Sequence, residues 1–336
     1  MLTAAIVGLG WWGKQITICL KDSEHIRVTH GLDIAPTNVV DFAREHGVQL
    51  TTSFDQLLTD RTIEAVIVAT PHSQHEAQVL NAISAGKQVF CEKPLALTVA
   101  GAERMLNACE KAGIVLGIGH ERRFEPAMEH LLQAIRNGQL GQILHLEANM
   151  SHDLFARLSA ANWRVSERDA PAGALTALGI HVTDLFISFV GRPKSVQAKT
   201  GKVMQTFPGV DHVSAQIDFV CGATAALTCL SSTPFYGRMA VFGTLGWVEV
   251  RENGNVDQRQ PTDMVIADAH GKRTMKSYAA INTVRANFES WAQAALGHGT
   301  YRYKHEQLLD NIRVLEAIVT SAAEESKSIT LLAPGD

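Results

Sequence analysis

Residues 2–13 of the chain read Leu2-Thr3-Ala4-Ala5-Ile6-Val7-Gly8-Leu9-Gly10-Trp11-Trp12-Gly13. Five of the first six are apolar and predict a buried strand, whereas residues 14–21 have helical spacing. Glycines between a strand and a helix permit a tight turn and a close approach of a ligand to the backbone. The unpaired N–H groups at the start of the helix can then bind a pyrophosphate. The order of strand, glycines and helix therefore predicts a dinucleotide-binding turn.

An acidic residue follows at the spacing that such a turn requires. A second predicted strand, Ile26–Leu32, ends at Asp33, twenty residues after Gly13. A carboxylate at this position accepts hydrogen bonds from the hydroxyls of the adenosine ribose. Residues 34–36 contain no Arg or Lys for a 2′-phosphate, so the sequence favours NAD over NADP, while more distant basic residues leave NADP open. The alternative is that Asp33 only stabilises its own turn.

The first 120 residues alternate between strand and helix patterns. Buried strands are predicted at residues 65–69, 88–91 and 114–118, with helices between them. This alternation predicts an α/β Rossmann domain over residues 1–120, with a doubly wound parallel sheet. His75 lies near a predicted helix start, where we expect a structural role because a helix N-terminus disfavours a positive charge.

The strand at residues 88–91 is followed by Glu92-Lys93-Pro94. Proline ends the strand because it has no backbone N–H to continue the hydrogen-bond ladder. Open α/β sheets bind their ligands at the carboxyl ends of the strands, so Lys93 is a candidate for acid/base work on a substrate. The alternative is a lysine that only extends from the strand end into solvent.

After Gly119 the pattern changes to apolar and polar residues in alternation, with glycine turns between short segments. This pattern predicts a C-terminal α/β domain, 121–336, with a large, mainly antiparallel open sheet that shares a cleft with the first domain. A helix predicted over Gly173–Val190 carries His181 on the same face as positions 177 and 184. A histidine on an apolar helix is usually a core residue, but beside a cofactor it can exchange a proton with a substrate hydroxyl at neutral pH.

Charge and cysteine usage exclude several classes of protein. The net charge is −4 and the pI is near 6.4, so we expect no nucleic-acid partner and no anionic membrane surface as a partner. The five cysteines form no C-x-x-C pair, which predicts reduced core thiols and no metal site. Without an apolar segment of membrane-spanning length or a signal sequence, we expect a cytoplasmic location.

Together these motifs resemble the glucose–fructose oxidoreductase/inositol dehydrogenase/MocA family of nicotinamide-dependent dehydrogenases. The specific motif is Glu92-Lys93-Pro94, and Trp163-Arg164, Gly179 with His181, and the segment 242–246 support it. The resemblance implies a Rossmann domain, and a second domain whose sheet pairs subunits into homodimers or homotetramers. It also implies oxidation of a secondary alcohol on a sugar, cyclitol or related ring.

The resemblance implies roles for individual residues as well. Lys93 binds the reacting oxygen, and His181 is the acid/base residue. The residues implied to bind the cofactor are Gly8, Gly10, Trp11, Trp12, Gly13, Asp33, Ile34, Ala69, Thr70, Pro71, His75, Glu92, Lys93, Glu121 and Arg123. The residues expected to bind the substrate are Lys93, His120, Arg164, Ala177 and His181, of which His120 and Arg164 are proposed because they belong to a basic set in an otherwise acidic chain.

Two positions depart from the family pattern. Ala177 stands where the family has an aspartate that orients the histidine, and Glu121 stands where Asn or Gln is usual. Loss of the carboxylate should leave His181 less basic and less fixed. Asp184 on the same helix face, or Glu121, could replace it.

The leading hypothesis is an NAD-dependent dehydrogenase in which Lys93 stabilises the alkoxide and His181 takes the proton. A cofactor-binding sensor without turnover is a second hypothesis, supported by Ala177. A redox-neutral lyase or glycosidase that recycles its NAD is a third. The substrate is expected to be a polyol or sugar, or else a carboxylated dihydrodiol that Arg164 grips with His120 or Arg157.

Overall fold

The computed structural model describes residues 1–156 and 158–331, which divide into two compact units. The first unit comprises Met1–Glu121 and Asn282–His305, and the second comprises Arg122–Ile281 and the chain from Glu306 onward. The first boundary falls one residue from the predicted one. Residues 282–305 lie with the first unit, so the predicted domain 121–336 is interrupted there.

The first unit is built on parallel strands with helices between them. Its strands are β1 (Leu2–Val7), β2 (Ile26–Leu32), β3 (Gln49–Thr51), β4 (Ala65–Val68), β5 (Gln88–Cys91) and β6 (Leu116–Ile118). Its first helices are α1 (Trp11–Leu20), α2 (Val40–His46), α3 (Phe54–Thr59), α4 (His75–Ser84) and α5 (Val99–Ala112). The strands form one six-stranded sheet in the order β3-β2-β1-β4-β5-β6. Because all pairs are parallel and the order reverses between β1 and β4, the predicted Rossmann fold is confirmed.

The second unit contains a larger, mixed sheet. Its strands are β7 (Ile143–Ser151), β8 (Pro193–Gly201), β9 (His212–Phe219), β10 (Thr224–Leu230), β11 (Tyr236–Gly243), β12 (Gly246–Glu252), β13 (Thr262–Asp268), β14 (Arg273–Tyr278) and β15 (Ile329–Thr330). The remaining helices of the chain are α6 (Pro126–Arg136), α7 (Ile180–Val190), α8 (Thr283–Ala295) and α9 (His305–Ala323). The sheet order is β14-β13-β12-β11-β7-β10-β9-β8-β15, and only β7 and β10 pair in parallel. The predicted large, mainly antiparallel sheet is thus confirmed.

Aromatic packing explains why α8 belongs to the first unit. Phe288 stacks on Phe90 of β5 with ring centroids 3.7 Å apart, and the Trp291 ring meets Phe90 edge-on. The Trp291 indole N–H donates to the carbonyl of Val115 at 2.8 Å. A Cβ at Gly117 in β6 would lie 2.3 Å from the Phe90 ring, so this glycine makes room for the aromatic cluster. The helix therefore completes the core beside β5 and β6.

The cysteines and the helices carry further information about the class of protein. Cys19, Cys91, Cys109 and Cys229 are buried free thiols, as predicted, but Cys221 is exposed in the turn before β10, so the prediction of core thiols is wrong for that residue. Among the described residues, no helix combines the length and the apolar composition needed to cross a bilayer.

Candidate functional site

The turn after β1 is fixed by two glycines that no other residue could replace without a shift of the backbone. Gly8 has a φ of +94°, and a Cβ there would lie 2.6 Å from the carbonyl oxygen of Ala69. A Cβ at Gly13 would lie 1.9 Å from the carbonyl oxygen of Gly8. Gly10 is different, because nothing lies within 4 Å of a Cβ placed there. The turn thus presents an open side at Gly10, at the point where the sheet order reverses.

The N-terminus of α1 faces this open side with its backbone amides. Gly10 precedes the helix with an extended backbone, no side chain caps it, and the first turn contains no acidic residue. The first amides of a helix have no intrahelical acceptor, so they and the helix dipole favour an anion. In the same turn, the buried indole Nε1 of Trp12 has no hydrogen-bond partner among the described residues. These features fit the pyrophosphate of a dinucleotide.

Asp33 joins the end of β2 to the glycine turn. Its Oδ2 accepts a hydrogen bond from the Leu9 amide at 2.9 Å, and its Oδ1 accepts one from the Ala35 amide at 2.9 Å. Each carboxylate oxygen keeps lone-pair capacity for a further donor, such as a ribose hydroxyl. The side chain of Ile34 next to it is fully exposed. Asp33 therefore stabilises its own turn. It also lies at the end of β2, where a carboxylate that binds the ribose is expected.

His75 is a positioning residue between two of the turns at this edge. It is completely buried at the start of α4. Its Nδ1 lies 2.8 Å from the carbonyl oxygen of Pro94, and its Nε2 lies 3.1 Å from that of Thr70. The ring thus links the turn after β4, Ala69-Thr70-Pro71, to the turn after β5. These two contacts support the expected structural role of His75.

Two carboxyl groups lie buried near the carboxyl ends of β5 and β6. Glu92 follows β5 and is 6% exposed, and Glu121 follows β6 and is 3% exposed. A Cβ at Gly119 would lie 2.3 Å from Glu92 Oε2, so the Glu92 carboxyl packs directly on that glycine. The Lys93 amide donates to Glu92 Oε2 at 3.3 Å, across a Glu92-Lys93-Pro94 turn with a cis Lys93–Pro94 peptide bond.

The Glu92 carboxyl has a strongly altered proton affinity. Burial, followed by the nearby charge of Glu121, raises the pKa of Glu92 to about 7. The Trp12 indole N–H and the charge of Lys93 act in the opposite direction. Trp12 Nε1 lies outside hydrogen-bond geometry, so its influence on Glu92 is that of a nearby dipole. The result is a carboxyl that titrates close to neutral pH beside the candidate catalytic lysine.

His120 and Arg123 lie on either side of Glu121 in the sequence, and each makes hydrogen bonds within its own unit. His120 is buried, and its carbonyl accepts a hydrogen bond from the hydroxyl of Tyr303. Arg123 binds both carboxylate oxygens of Asp184, at 2.7 and 2.6 Å, and its Nη1 donates to Gln307 at 2.9 Å. Arg123 and Asp184 therefore form a buried bidentate pair in the second unit. This pairing makes Asp184 the counter-ion of Arg123, and it speaks against a second role as the partner of His181.

The helix that carries His181 begins with an irregular turn. Residues Leu175–Gly179 form a π-helical turn, in which the Ile180 amide donates to the Leu175 carbonyl, and the regular helix α7 starts only at Ile180. A Cβ at Gly179 would lie 2.5 Å from the sulfur of Cys229, so the glycine lets this turn approach β10. The predicted single helix Gly173–Val190 is wrong in its first part. Position 177 consequently does not stand one regular α-helical turn before the buried His181.

Arg164 differs from the other arginines of the predicted basic set. Arg122 is buried against Glu252 and donates to Asn255 at 3.3 Å. The Arg164 guanidinium instead stacks on the Trp163 ring at 4.2 Å, and among the described residues no carboxylate lies within ion-pair distance of it. Burial lowers the pKa of Arg164. Arg157, named with it as a possible carboxylate ligand, lies outside the described residues.

The sequence drew attention to Gly119 and Gly179 but did not predict what each of them packs against. Gly119 admits the Glu92 carboxyl, and Gly179 admits the helix that carries His181. A glycine directly after a strand is a usable signal, but its partner lies far away in the sequence. Within the described part of the chain, no group of three or more His, Cys, Asp or Glu side chains is arranged to hold a metal ion.

The sequence matches two family profiles in succession. Residues 2–120 match the profile described as "Oxidoreductase family, NAD-binding Rossmann fold" of the GFO_IDH_MocA type, and residues 128–249 match the "GFO/IDH/MocA C-terminal domain". A 1,5-anhydro-D-fructose reductase from Ensifer adhaerens is 30% identical over 294 residues, which cover 84% of this chain and 86% of that protein.

Two further relatives extend the comparison. A 2,7-anhydro-N-acetylneuraminate hydratase from Escherichia coli K12 is 29% identical over 234 residues, so the match spans only 61% of that protein. The crystal structure of an aldose-aldose oxidoreductase from Caulobacter crescentus, complexed with glycerol, has a TM-score of 0.87 and 27% identity. The match covers 98% of this chain and 99% of that one.

Proposed function

Because this chain belongs to the GFO/IDH/MocA oxidoreductase family, we propose that it transfers hydride between NAD and a secondary alcohol of a sugar, polyol or cyclitol. The observation that carries the proposal lies within the first unit. The glycine turn, Asp33 and Lys93 follow three strands of one parallel sheet at the same edge, where such sheets bind their ligands.

The nicotinamide supplies the hydride acceptor when it is bound. The chain's own residues hold it and manage the proton. The α1 amides and Asp33 would bind the pyrophosphate and the adenosine ribose. Lys93 would stabilise the negative charge that develops on the substrate oxygen, and His181 would take the hydroxyl proton. Lys93 belongs to the first unit and His181 to the second.

NAD is proposed as the cofactor in preference to NADP. The Asp33 carboxylate is held at the end of β2 by two amides, and the exposed residue next to it is the uncharged Ile34. A 2′-phosphate placed near Asp33 would meet a like charge without a neighbouring cation at positions 34–36.

Nicotinamide absorbance during turnover tests this proposal. Purified protein is incubated with NAD and a panel of polyols, sugars, sugar acids and dihydrodiols, and both NADH and organic product are measured. Accumulation of NADH in proportion to product supports the dehydrogenase. Cofactor binding without any product contradicts it and supports the sensor hypothesis.

A redox-neutral reaction is the second candidate, and the hydratase among the relatives is the observation that favours it. In such a reaction the protein would take hydride from the substrate and return it to an intermediate, so product would form without net NADH. The same panel separates the two functions, because the product is counted independently of the absorbance.

An acidic substrate is the second candidate for substrate class. Arg164 supports it, because a partly buried guanidinium without a carboxylate partner among the described residues is well suited to bind an anion. Arg164→Met should raise KM for a sugar acid at least about tenfold and leave KM for the neutral sugar unchanged. Arg168→Met, at an exposed arginine four residues away, is the matched control. Equal effects of Arg164→Met on acid and neutral substrates would remove the acidic class.

Subunit pairing through the sheet of the second unit is proposed as well. Arg238 on β11 bonds Glu147 at 2.9 Å and Glu249 at 2.8 Å, and Arg273 stacks on Trp247 at 5.3 Å, so this sheet carries an ordered polar and aromatic surface. Light scattering at micromolar concentration should give the mass of a dimer or a tetramer. A monomer mass would contradict the pairing. The cytoplasmic location stays a prediction.

A further inference from the structure

His181 lies in the first turn of α7, directly after the π-helical turn Leu175–Gly179. In a long regular helix, the preceding α-helical turns fix the orientation of each new peptide group. A π-helical turn interrupts this regular pattern, and such turns are often found at functional sites. Residue 177 is an alanine, so it carries no carboxylate that could orient the His181 ring. Contacts between the first turn of α7 and neighbouring elements are therefore a means of holding His181 in one orientation.

Asn311 of α9 makes two such contacts. Its side-chain amide donates a hydrogen bond to the carbonyl oxygen of Ile180 at 3.2 Å, and its Oδ1 accepts one from the Thr183 hydroxyl at 2.5 Å. Asn311 and Thr183 are 1% and 2% exposed, so water competes little for these groups. The Ile180 carbonyl belongs to the planar peptide group that joins Ile180 to His181. Asn311 therefore holds the peptide plane that leads into the Cα of His181.

The same face of α9 also reaches α7 through Arg123. Gln307 lies one helical turn before Asn311, and its Oε1 accepts a hydrogen bond from Arg123 Nη1 at 2.9 Å. Arg123 in turn binds both carboxylate oxygens of Asp184, which is the third residue after His181. The helix α9 thus holds the first turn of α7 directly through Asn311 and indirectly through Arg123.

We propose that Asn311, together with Thr183, is a positioning residue that keeps His181 oriented for proton transfer. The inference rests on the proposed function and deepens it. Asn311 acts through the peptide group before His181, and its buried side chain is directed at that carbonyl and at the Thr183 hydroxyl. This hold on the backbone takes the place of the carboxylate that the resemblance implies at position 177.

Histidine-ring NMR of the cofactor-free protein tests this hold without any substrate. Protein labelled with ¹⁵N in its histidine rings gives the His181 signals, which are assigned with His181→Gln. Asn311→Leu has a similar side-chain volume but lacks both hydrogen bonds, so it should shift or broaden the His181 ring signals. Unchanged His181 signals in folded Asn311→Leu overturn the inference.

Ser321→Ala is the matched control. Ser321 is completely buried on the same helix, and its hydroxyl accepts a hydrogen bond from the Ala198 amide of β8 at 2.8 Å. The substitution therefore also removes a buried hydrogen bond between α9 and another element, but not one to α7. It should leave the His181 signals and kcat unchanged.

Kinetics on a substrate found with the panel connect the hold to the reaction. Asn311→Leu should lower kcat for alcohol oxidation about tenfold or more and leave KM within about twofold, because a misplaced base slows the chemical step without removing a binding contact. Thr183→Val is nearly isosteric and tests the hold even if Asn311→Leu fails to fold. It should lower kcat about threefold, and Thr183→Ser, which keeps the hydroxyl, should restore most of this loss.

The outcomes separate the inference from the proposed function. A kcat within twofold of wild type in Thr183→Val and in folded Asn311→Leu, or an equal fall in Ser321→Ala, overturns the inference and leaves the proposed function intact. Shifted His181 signals in a protein that oxidises no alcohol overturn the proposed function, and with it the role of Asn311 in proton transfer.

Discussion

The turn after β1 and the segments after β5 and β6 lie at one edge of the same sheet but differ in the groups that they place there. In the first region the backbone does the work: Gly8 and Gly13 leave no space for a side chain, and Asp33 is held by two amides. In the second region side chains do the work: Glu92 and Glu121 are buried with like charge beside Lys93. The first arrangement suits the holding of a ligand, and the second suits the holding of a proton.

The difference teaches that a buried carboxyl behaves according to the group that faces it. Asp184 is 1% exposed and meets the fork of Arg123, whereas Glu92 is 6% exposed and meets another carboxyl. Removal of either member of the Arg123–Asp184 pair takes away the opposite charge that faces the other member, which destabilises the fold. Burial and the charge of Glu121 raise the pKa of Glu92 to about 7, so this carboxyl is protonated below neutral pH.

The largest effect is expected when the paired charge loses its partner. Asp184→Ala should lower the free energy of unfolding by about 3–5 kcal/mol, because the buried Arg123 guanidinium loses the carboxylate that it binds with two hydrogen bonds. Urea denaturation measures it. Asp41→Ala removes an exposed ion pair with Arg44 and should change stability very little. Equal losses in the two variants would contradict the distinction between buried and exposed pairs.

Gly13→Ala should break the backbone arrangement at the glycine turn. Its Cβ would fall 1.9 Å from the Gly8 carbonyl oxygen, so the turn must move and NADH affinity should fall about 100-fold, near 2.7 kcal/mol. Gly10→Ala meets no neighbour and should keep the wild-type Tm, although its methyl group occupies the open side of the turn. Fluorescence titration with NADH gives both affinities. Wild-type affinity in Gly13→Ala would show that this turn does not hold the cofactor.

The stability of the Glu92 region should depend on pH in a defined direction. The pKa of Glu92 is about 7 in the folded protein against an ordinary value of 4.5, so the folded state binds more protons between these values. The free energy of unfolding therefore falls as the pH rises from about 4.5 to 7. Glu92→Gln should stabilise the protein by about 3 kcal/mol at pH 8 and by less than about 1 kcal/mol at pH 5. Urea denaturation at the two pH values checks it, and a pH-independent difference would contradict the buried proton.

Asp33→Ala should have the smallest effect of the four. The Leu9 and Ala35 amides lose their acceptor, but both can bind water because Asp33 is only partly buried. We expect NADH affinity to fall about tenfold and NADPH affinity to fall less, so that the preference for NADH narrows. Titration with the two cofactors measures this ratio. An unchanged ratio would mean that Asp33 serves only its own turn.

The fold and the cofactor turn could be predicted because their constraints are local. Gly8 and Gly13 act on residues a few positions away, and the strand order follows from the alternation of strands and helices. The N-cap residue Thr98, whose side chain accepts from the Gly101 amide, begins α5 between the predicted strands 88–91 and 114–118, where a helix is expected. Constraints of this kind can be predicted from one short stretch of sequence, because the residues that interact are only a few positions apart.

The raised pKa of Glu92 and the π-helical turn before α7 could not be predicted, because both depend on residues that are distant in the sequence. The proton affinity of Glu92 depends on burial and on Glu121, twenty-nine residues later. The π-helical turn before α7 depends on Gly179 meeting Cys229 on another strand. The pairing of Arg123 with Asp184 likewise joins residues 61 positions apart. Each requires the folded arrangement, which no spacing rule within a short segment supplies.

The most direct test of the account is hydride transfer by Lys93→Met compared with wild type on a substrate found with the panel. The account predicts a fall in kcat of about 100-fold or more, because the positive charge that stabilises the substrate oxygen is lost. NADH should still bind, because the glycine turn and Asp33, which would hold the pyrophosphate and the ribose, are untouched. Near wild-type kcat in Lys93→Met, with the protein folded and the cofactor bound, would contradict the central claim.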